Sequence, residues 1–220
     1  MTTCKGKLAV QQRVLAAYRA PFFDFLAQEC ARGLSVCAGL PLPQESIAIT
    51  DSLQVANFHP VKNYHFFRGP LLLCYQRGIL DWLVEWNPNV LITEVNPRTI
   101  SNPAALNWMK NKEKPVVGWG LGSPSPASFP HVLKRMGEQV VKSSLRQYLQ
   151  RFDALLTYSA KGAEEYACLG FPAEMIFIAP NAATPPPSQP MPVRPEKFNG
   201  KPNVLFVGRL QARKKIDLLL

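Results

Sequence analysis

The chain has 220 residues, 47% of them apolar, and carries 25 Lys and Arg against 15 Asp and Glu, a net charge of +10. Such totals fit one large globular domain, or one domain with part of a second, and they favour an anionic partner: nucleic acid, an anionic membrane or a sugar nucleotide. They speak against a membrane span, since no run approaches the roughly 20 apolar residues required, and five scattered cysteines without a CxxC pair speak against a zinc site or a disulfide framework.

In chain order, MTTCKGKLAVQQRV has charges within any apolar run, so it does not read as a signal peptide, and its second half predicts the first strand (7–14). PFFDFLAQECARG (21–33) predicts a helix that starts on a proline and stops at a glycine. Strands follow at GLSVCAG (33–39) and SIAIT (46–50). LLLCYQRGILDWLVEW (71–86) is apolar at 72, 73, 75, 79, 80, 83 and 86, close to a helical period. NVLITEV (89–95) and PVVGWGLG (115–122) predict strands, and a long basic amphipathic helix is expected over 127–152. ALLTYS (154–159), the helix AKGAEEYACLG (160–170) and MIFIAP (175–180) complete the series.

Alternating strands and helices of this kind imply an α/β fold, a Rossmann-like doubly wound and mostly parallel sheet. Ligands gather at the carboxyl ends of such strands. The loops of interest are therefore Tyr18-Arg19, Asn96-Pro97-Arg98, Trp119 to Gly122, Tyr158-Ser159 and Pro180-Asn181. Residues 183–202 hold seven prolines, a stiff connector, after which NVLFVGRL restarts a strand pattern. The expected division is a domain over 1–182, a linker over 183–202 and the start of a second Rossmann-like domain, incomplete, over 203–220.

The order of these pieces resembles the GT-B glycosyltransferases of family 4. GRL with its following cations, YR-x-PFF, the VGWGLGSP loop and YSAKG with its APN end stand in the family's order over most of residues 7–220. That resemblance implies a retaining, metal-independent transferase that moves a sugar from a nucleoside-diphosphate donor to an acceptor held by the amino-terminal domain. It implies no cofactor beyond the nucleotide-sugar substrate. Arg209 and Lys214 match the family's cations on the donor diphosphate, the charge that grows when the anomeric C–O bond breaks. The family's glycine after that lysine is Lys215 here, so the functional cation is Lys214 or Lys215. Tyr18, Arg19, Trp119, Gly120 and Gly122 fall in loops expected to meet a sugar or lipid-linked acceptor. The family's paired glutamates would lie beyond Leu220, so the chain alone is expected to be an inactive fragment.

Plainer readings stand beside these. Trp119 with its glycines also fits a tight turn around a core indole, Tyr18-Arg19 a helix entry, Arg98 a linker, and Glu94 a structural carboxylate inside its strand. His59 and His65 fall in a polar stretch expected to be irregular, His131 starts the basic helix, and none has a metal-ligand partner at the right spacing. Lys134, Arg135, Lys142, Arg146 and Arg151 would form either a solvated exterior or a peripheral contact with the inner face of a membrane. Two rivals remain: a nucleotide-sugar epimerase of the same two-domain plan, and a non-catalytic binding protein for an anionic partner. The absence of RNA- and DNA-binding signatures counts against nucleic acid.

Overall fold

The computed structural model describes residues 4–123, 138–181, 188–190, 193, 205–208 and 215–219. By its internal contacts the chain divides into Met1–Thr184 and Pro185–Leu220.

The first unit is built on seven strands, all parallel: β1 (Leu8–Val14), β2 (Leu34–Gly39), β3 (Asn57–Pro60), β6 (Val90–Glu94), β7 (Val116–Gly120), β8 (Ala154–Thr157) and β9 (Ile176–Ile178). Their order is β3-β2-β1-β6-β7-β8-β9. Between β3 and β6 the chain makes a separate antiparallel hairpin, β4 (Lys62–Phe66) with β5 (Leu73–Arg77). The helices are α1 (Ala20–Gln28), α2 (Ile79–Trp86), α3 (Asn102–Lys110), α4 (Glu138–Leu149) and α5 (Ala160–Cys168). This is a doubly wound α/β sheet.

Strand alternation sorts the core into two layers. Leu8, Val10, Leu34 and Val36 face α1, where Phe23 and Ala27 cover them. Ala9, Cys37, Leu91 and Leu155 face the other way and are covered by Trp82 and Leu83 of α2, Leu106 and Met109 of α3, Leu149 of α4 and Tyr166 of α5. Burial on both faces explains why Leu8, Ala9 and Val10 of β1 and most of β2 are apolar without a polar–apolar alternation. Two indoles lock α2 in register: Trp82 donates to Ser35 Oγ at 2.8 Å and Trp86 to the Leu8 carbonyl at 3.0 Å. Asp24 of α1 accepts the backbone N–H groups of Gln54, Val55 and Ala56 at 2.8 to 3.0 Å, which fixes the approach to β3. Burial raises the Asp24 pKa, but these three donors outweigh it and hold the carboxyl below its ordinary value.

The sequence misleads in several places. Residues 71–86 are a strand and a helix, not one helix. Gly78 sits at φ 100°, a left-handed turn that ends β5 and starts α2. In β5 the buried side chains are Cys74 and Gln76, a period of two that the apolar count conceals. SIAIT does not enter the sheet. It runs outside, touching Ala16 through a single bridge at Ile49, because β3 occupies the position beside β2. Strand β3 reads NFHP, polar and ending on a proline, which is tolerable only at an edge. His59 and His65 consequently lie in β3 and β4 rather than in irregular chain.

In the second unit, Leu205–Gly208 forms no strand, contrary to the expectation from NVLFVGRL, and Leu205 and Val207 are exposed. No partner strand is present beside it among the described residues, and a lone strand has no ladder to join. The Leu-rich tail makes a short 3-10 turn, Ile216–Leu219.

The two-layer packing predicts unequal costs for truncation. Leu106→Ala, fully buried, should lower the unfolding free energy in urea by about 2–5 kcal/mol. Val84→Ala, at 63% exposure on the same side, should change it by less than about 0.5 kcal/mol. Equal effects would contradict the layer assignment.

Candidate functional site

The strand order reverses between β1 and β6. From β1 the chain first builds outward through β2 and β3, then returns to place β6 on the other side of β1. The carboxyl ends of β1 and β6 therefore open a crevice, the place where open α/β sheets hold ligands.

Four polar residues of the two strands line up there. Gln11 is fully buried. Its side-chain oxygen accepts from Thr93 Oγ1 at 2.5 Å and from the Glu94 backbone N–H at 3.1 Å, and its amide donates to Gln76 of β5. Gln76 in turn donates to the Gln12 carbonyl at 3.1 Å, so the hairpin is tied to the end of β1. Arg13 donates its backbone N–H to Glu94 Oε1 at 2.8 Å. Its guanidinium grips Glu45 through two hydrogen bonds, 2.8 and 2.6 Å. Burial works against the charges of both partners, yet the paired hydrogen bonds prevail: the Arg13 pKa rises and the Glu45 carboxyl falls below its ordinary value.

Arg19 stands over this floor, at the turn into α1. Two of its nitrogens are fixed, Nη1 on Gln12 Oε1 and Nη2 on the Tyr158 hydroxyl, both at 2.7 Å. Its guanidinium carbon lies 5.1 Å from the Trp119 ring centre, 5.8 Å from Tyr158 and 5.9 Å from Tyr18. This is a cation held in an aromatic collar. Burial opposes its charge, but the hydrogen bond with Tyr158 and its neighbours prevail, so its pKa is raised.

Glu94 is the second carboxyl of the site, after Glu45. Desolvation raises its pKa, and the Arg13 N–H with the positive fields of Arg13 and Arg19 offset that only in part. Tyr18, 49% exposed, and Phe22 form the outer rim, Phe22 lying 6.0 Å from Trp119 by ring centres. Beside the site, Leu15, Leu40, Ile49 and Phe58 line a shallow apolar recess.

Of the residues expected from sequence, Tyr18, Arg19 and Trp119 come together. Trp119 is only 8% exposed, with Phe22, Phe23 and Tyr158 within 6.5 Å and Arg19 across its face; here it positions Arg19. Gly120 and Gly122 serve close packing against α5. A side chain at 120 would strike the Tyr166 hydroxyl, and one at 122, where φ is 110°, would come within 2.9 Å of Gly162. Arg98 is exposed beyond β6, and its backbone N–H turns back to Asn96. Arg209 and Lys214 lie outside the described residues, as do His131, Lys134 and Arg135. Lys215 is exposed at φ 47°. Arg151 donates to Pro103 and Asn107 beside α3, and the Arg146 guanidinium lies over Gly170, so both basic residues are engaged within the fold. Among the described residues no group of three His, Cys, Asp or Glu could hold a metal ion, and no helix is long and apolar enough to cross a membrane.

Sequence reasoning passed over Gln11, Gln12, Arg13 and Glu45. The signal was present in LAVQQRV: consecutive glutamines inside a strand buried on both faces require buried partners.

No family model and no curated protein matches the chain. Similar solved structures include the lipopolysaccharide outer core galactosyltransferase WaaB, 14% identical over 97% of this chain and 57% of its own, with a TM-score of 0.49. Others are the UDP-GlcNAc 2-epimerase from Neisseria meningitidis (10% identity, 78% and 45% coverage, TM-score 0.44) and Anabaena HepE in complex with UDP and glucose (14%, 80% and 44%, 0.47). The chain spans about half the length of these structures. At such scores the fold assignment rests on the strand order itself.

Glu94 gives the site a pH signature. Its folded pKa is raised above the ordinary 4.5, so between these values the folded state binds the extra proton and stability falls as pH rises. Glu94→Gln removes this dependence. Urea unfolding at pH 4, 5.5 and 7 should show the variant gaining on the native chain with rising pH. The reverse trend would mean that the Arg13 and Arg19 fields, not desolvation, control this carboxyl.

Proposed function

We propose that this chain is the acceptor-side domain, with the first stretch of a donor-side domain, of a nucleotide-sugar enzyme, and in the first place of a glycosyltransferase. The observation that carries the reading is the fixed cation Arg19, with exposed Tyr18 beside it, at the crevice where the strand order reverses. A polar, partly aromatic rim of this kind suits a sugar, whose hydroxyls accept from a guanidinium and whose C–H faces pack on rings. The motif order over residues 7–220 supports the same reading.

In the reaction so inferred, the anomeric C–O bond of the donor breaks and the sugar passes to an acceptor hydroxyl, with retention at the anomeric carbon. Negative charge develops on the leaving nucleoside diphosphate. Arg209 and Lys214, or Lys215 in its place, would neutralise it without a metal. Tyr18 and Arg19 would hold the acceptor, with Trp119, Gly120 and Gly122 shaping the wall behind it. The partners are thus a nucleotide-sugar donor and a sugar or lipid-linked acceptor rather than nucleic acid. Peripheral membrane contact through the basic helix belongs to the same proposal, and flotation with anionic liposomes at low salt tests it.

An array of hexose- and N-acetylhexosamine-terminated glycans is the direct test of the acceptor side. The native chain should retain a defined subset, and Arg19→Ala should weaken that binding by about tenfold or more, the loss of roughly one charged hydrogen-bonded contact. Retention unchanged by Arg19→Ala would remove the site. If the chain binds no glycan yet the protein interconverts UDP-sugar epimers, the epimerase reading takes its place.

A further inference from the structure

Outside the candidate site, two thiols meet that no proposed chemistry uses. Cys4 and Cys30 are paired residues of an isolated parallel bridge. The bridge is made by Cys4 N–H to the Glu29 carbonyl at 3.0 Å and Ala31 N–H to the Cys4 carbonyl at 2.9 Å, so residue 4 is seated directly beside residue 30. Paired positions of adjacent parallel strands place their Cα atoms about 4.8 Å apart and their Cβ atoms on one side, within the separations a disulfide spans. The Cys4 Sγ donates to the Gly6 carbonyl at 3.7 Å, and the neighbouring Cys4 side chain is one of the groups that raise the Cys30 pKa. All five cysteines are free thiols in this structure.

We propose that Cys4 and Cys30 are an oxidation site: a vicinal thiol pair that closes to a disulfide with a low-molecular-weight disulfide as the oxidant. The asymmetry of the pair sets the order of events. Cys4 is half-buried and Cys30 buried, so Cys4 meets the oxidant first. Its thiolate attacks one sulfur of the oxidant, forming a mixed disulfide and releasing one small thiol. The Cys30 thiolate then attacks Cys4 Sγ, the protein disulfide forms and the second small thiol leaves. Two protein S–H bonds are lost, one oxidant disulfide is reduced, and both protons leave with the released thiols. Burial, and secondarily the neighbouring Cys4, push the Cys30 thiol up to about 11, so the second step, which needs the Cys30 thiolate, accelerates as pH rises.

The bond would tie the start of the chain to the segment just after α1. The closed loop contains β1, Arg13, Arg19 and α1, the unit that carries one side of the crevice. Linking such a loop restricts the unfolded chain more than the folded one, whose backbone already holds these residues together.

The test is to incubate the folded 220-residue chain with oxidised glutathione at pH 8, block remaining thiols with an alkylating agent, digest with trypsin and map the products by mass spectrometry. The expected product is peptide 1–5 linked to peptide 20–32, abolished by dithiothreitol. Cys30→Ser should stop at glutathione carried on Cys4, a readout that requires only that the N-terminal segment be reachable. The oxidised native chain should also melt higher than its reduced form, by about 5 °C or more. Glutathione left on Cys4 of the native chain with Cys30 alkylated, or links made only through Cys168, would overturn the proposal. A linked peptide without any rise in melting point would overturn the staple and leave only the chemistry.

Discussion

A parallel sheet must satisfy every backbone group, and where the strand order reverses it lacks the neighbours to do so. Gln11 resolves that problem here. Its side chain accepts the Glu94 N–H that the diverging strands leave behind, binds Thr93 and reaches Gln76 on the hairpin. An unmet buried polar group costs about 1–3 kcal/mol, and this network removes that cost at the floor of the crevice. The hairpin β4–β5, an addition to the sheet's own plan, is in the same way explained by what it supplies to β1.

The charges above follow from that floor. Arg13 is occupied with Glu45 and is a structural clamp. Arg19 is fixed by neutral partners, Gln12 and Tyr158, so its positive charge remains uncancelled by any hydrogen-bonded carboxylate. Orientation by neutral acceptors leaves the field available to a ligand, whereas a direct ion pair would consume it. Glu94 sits nearby but meets Arg13 through the backbone, and its desolvation keeps it readier to hold a proton than an ordinary glutamate. The arrangement therefore offers a fixed cation and a poised carboxyl within one crevice.

The parallel core was legible in the sequence because burial on both faces concentrates apolar residues in β1, β2, β6, β7 and β8. The edge strand β9 was legible from its apolar composition, although Phe177 and Ile178 are exposed. The hairpin was not. Leu73, Tyr75 and Arg77 face outward while Cys74 and Gln76 face in, so the apolar residues fall on both sides of the strand and imitate a helix; only Gly78 marked the break. Strand β3 was hidden because an edge tolerates polar residues and proline. At the site, the loop positions of Tyr18, Arg19 and Trp119 followed from strand ends alone. Their division of labour did not, since whether an indole is a platform or a wall depends on Phe22, Phe23 and Tyr158, which arrive from α1 and from the end of β8. Gly120 and Gly122 were legible as close approaches, but the approaching partner is α5 rather than a ligand.

The central claim is that the crevice between the ends of β1 and β6 is where this domain meets its ligand. Amide and indole chemical shifts, followed while the labelled chain is titrated with glycans retained on the array, test it most directly. The account predicts that perturbations centre on Gln12, Arg19, Tyr158 and the Trp119 indole N–H, and that they shrink in Arg19→Ala. Perturbations centred instead on the outer face of the β4–β5 hairpin or on α4, with Arg19 and Trp119 unmoved, would contradict it.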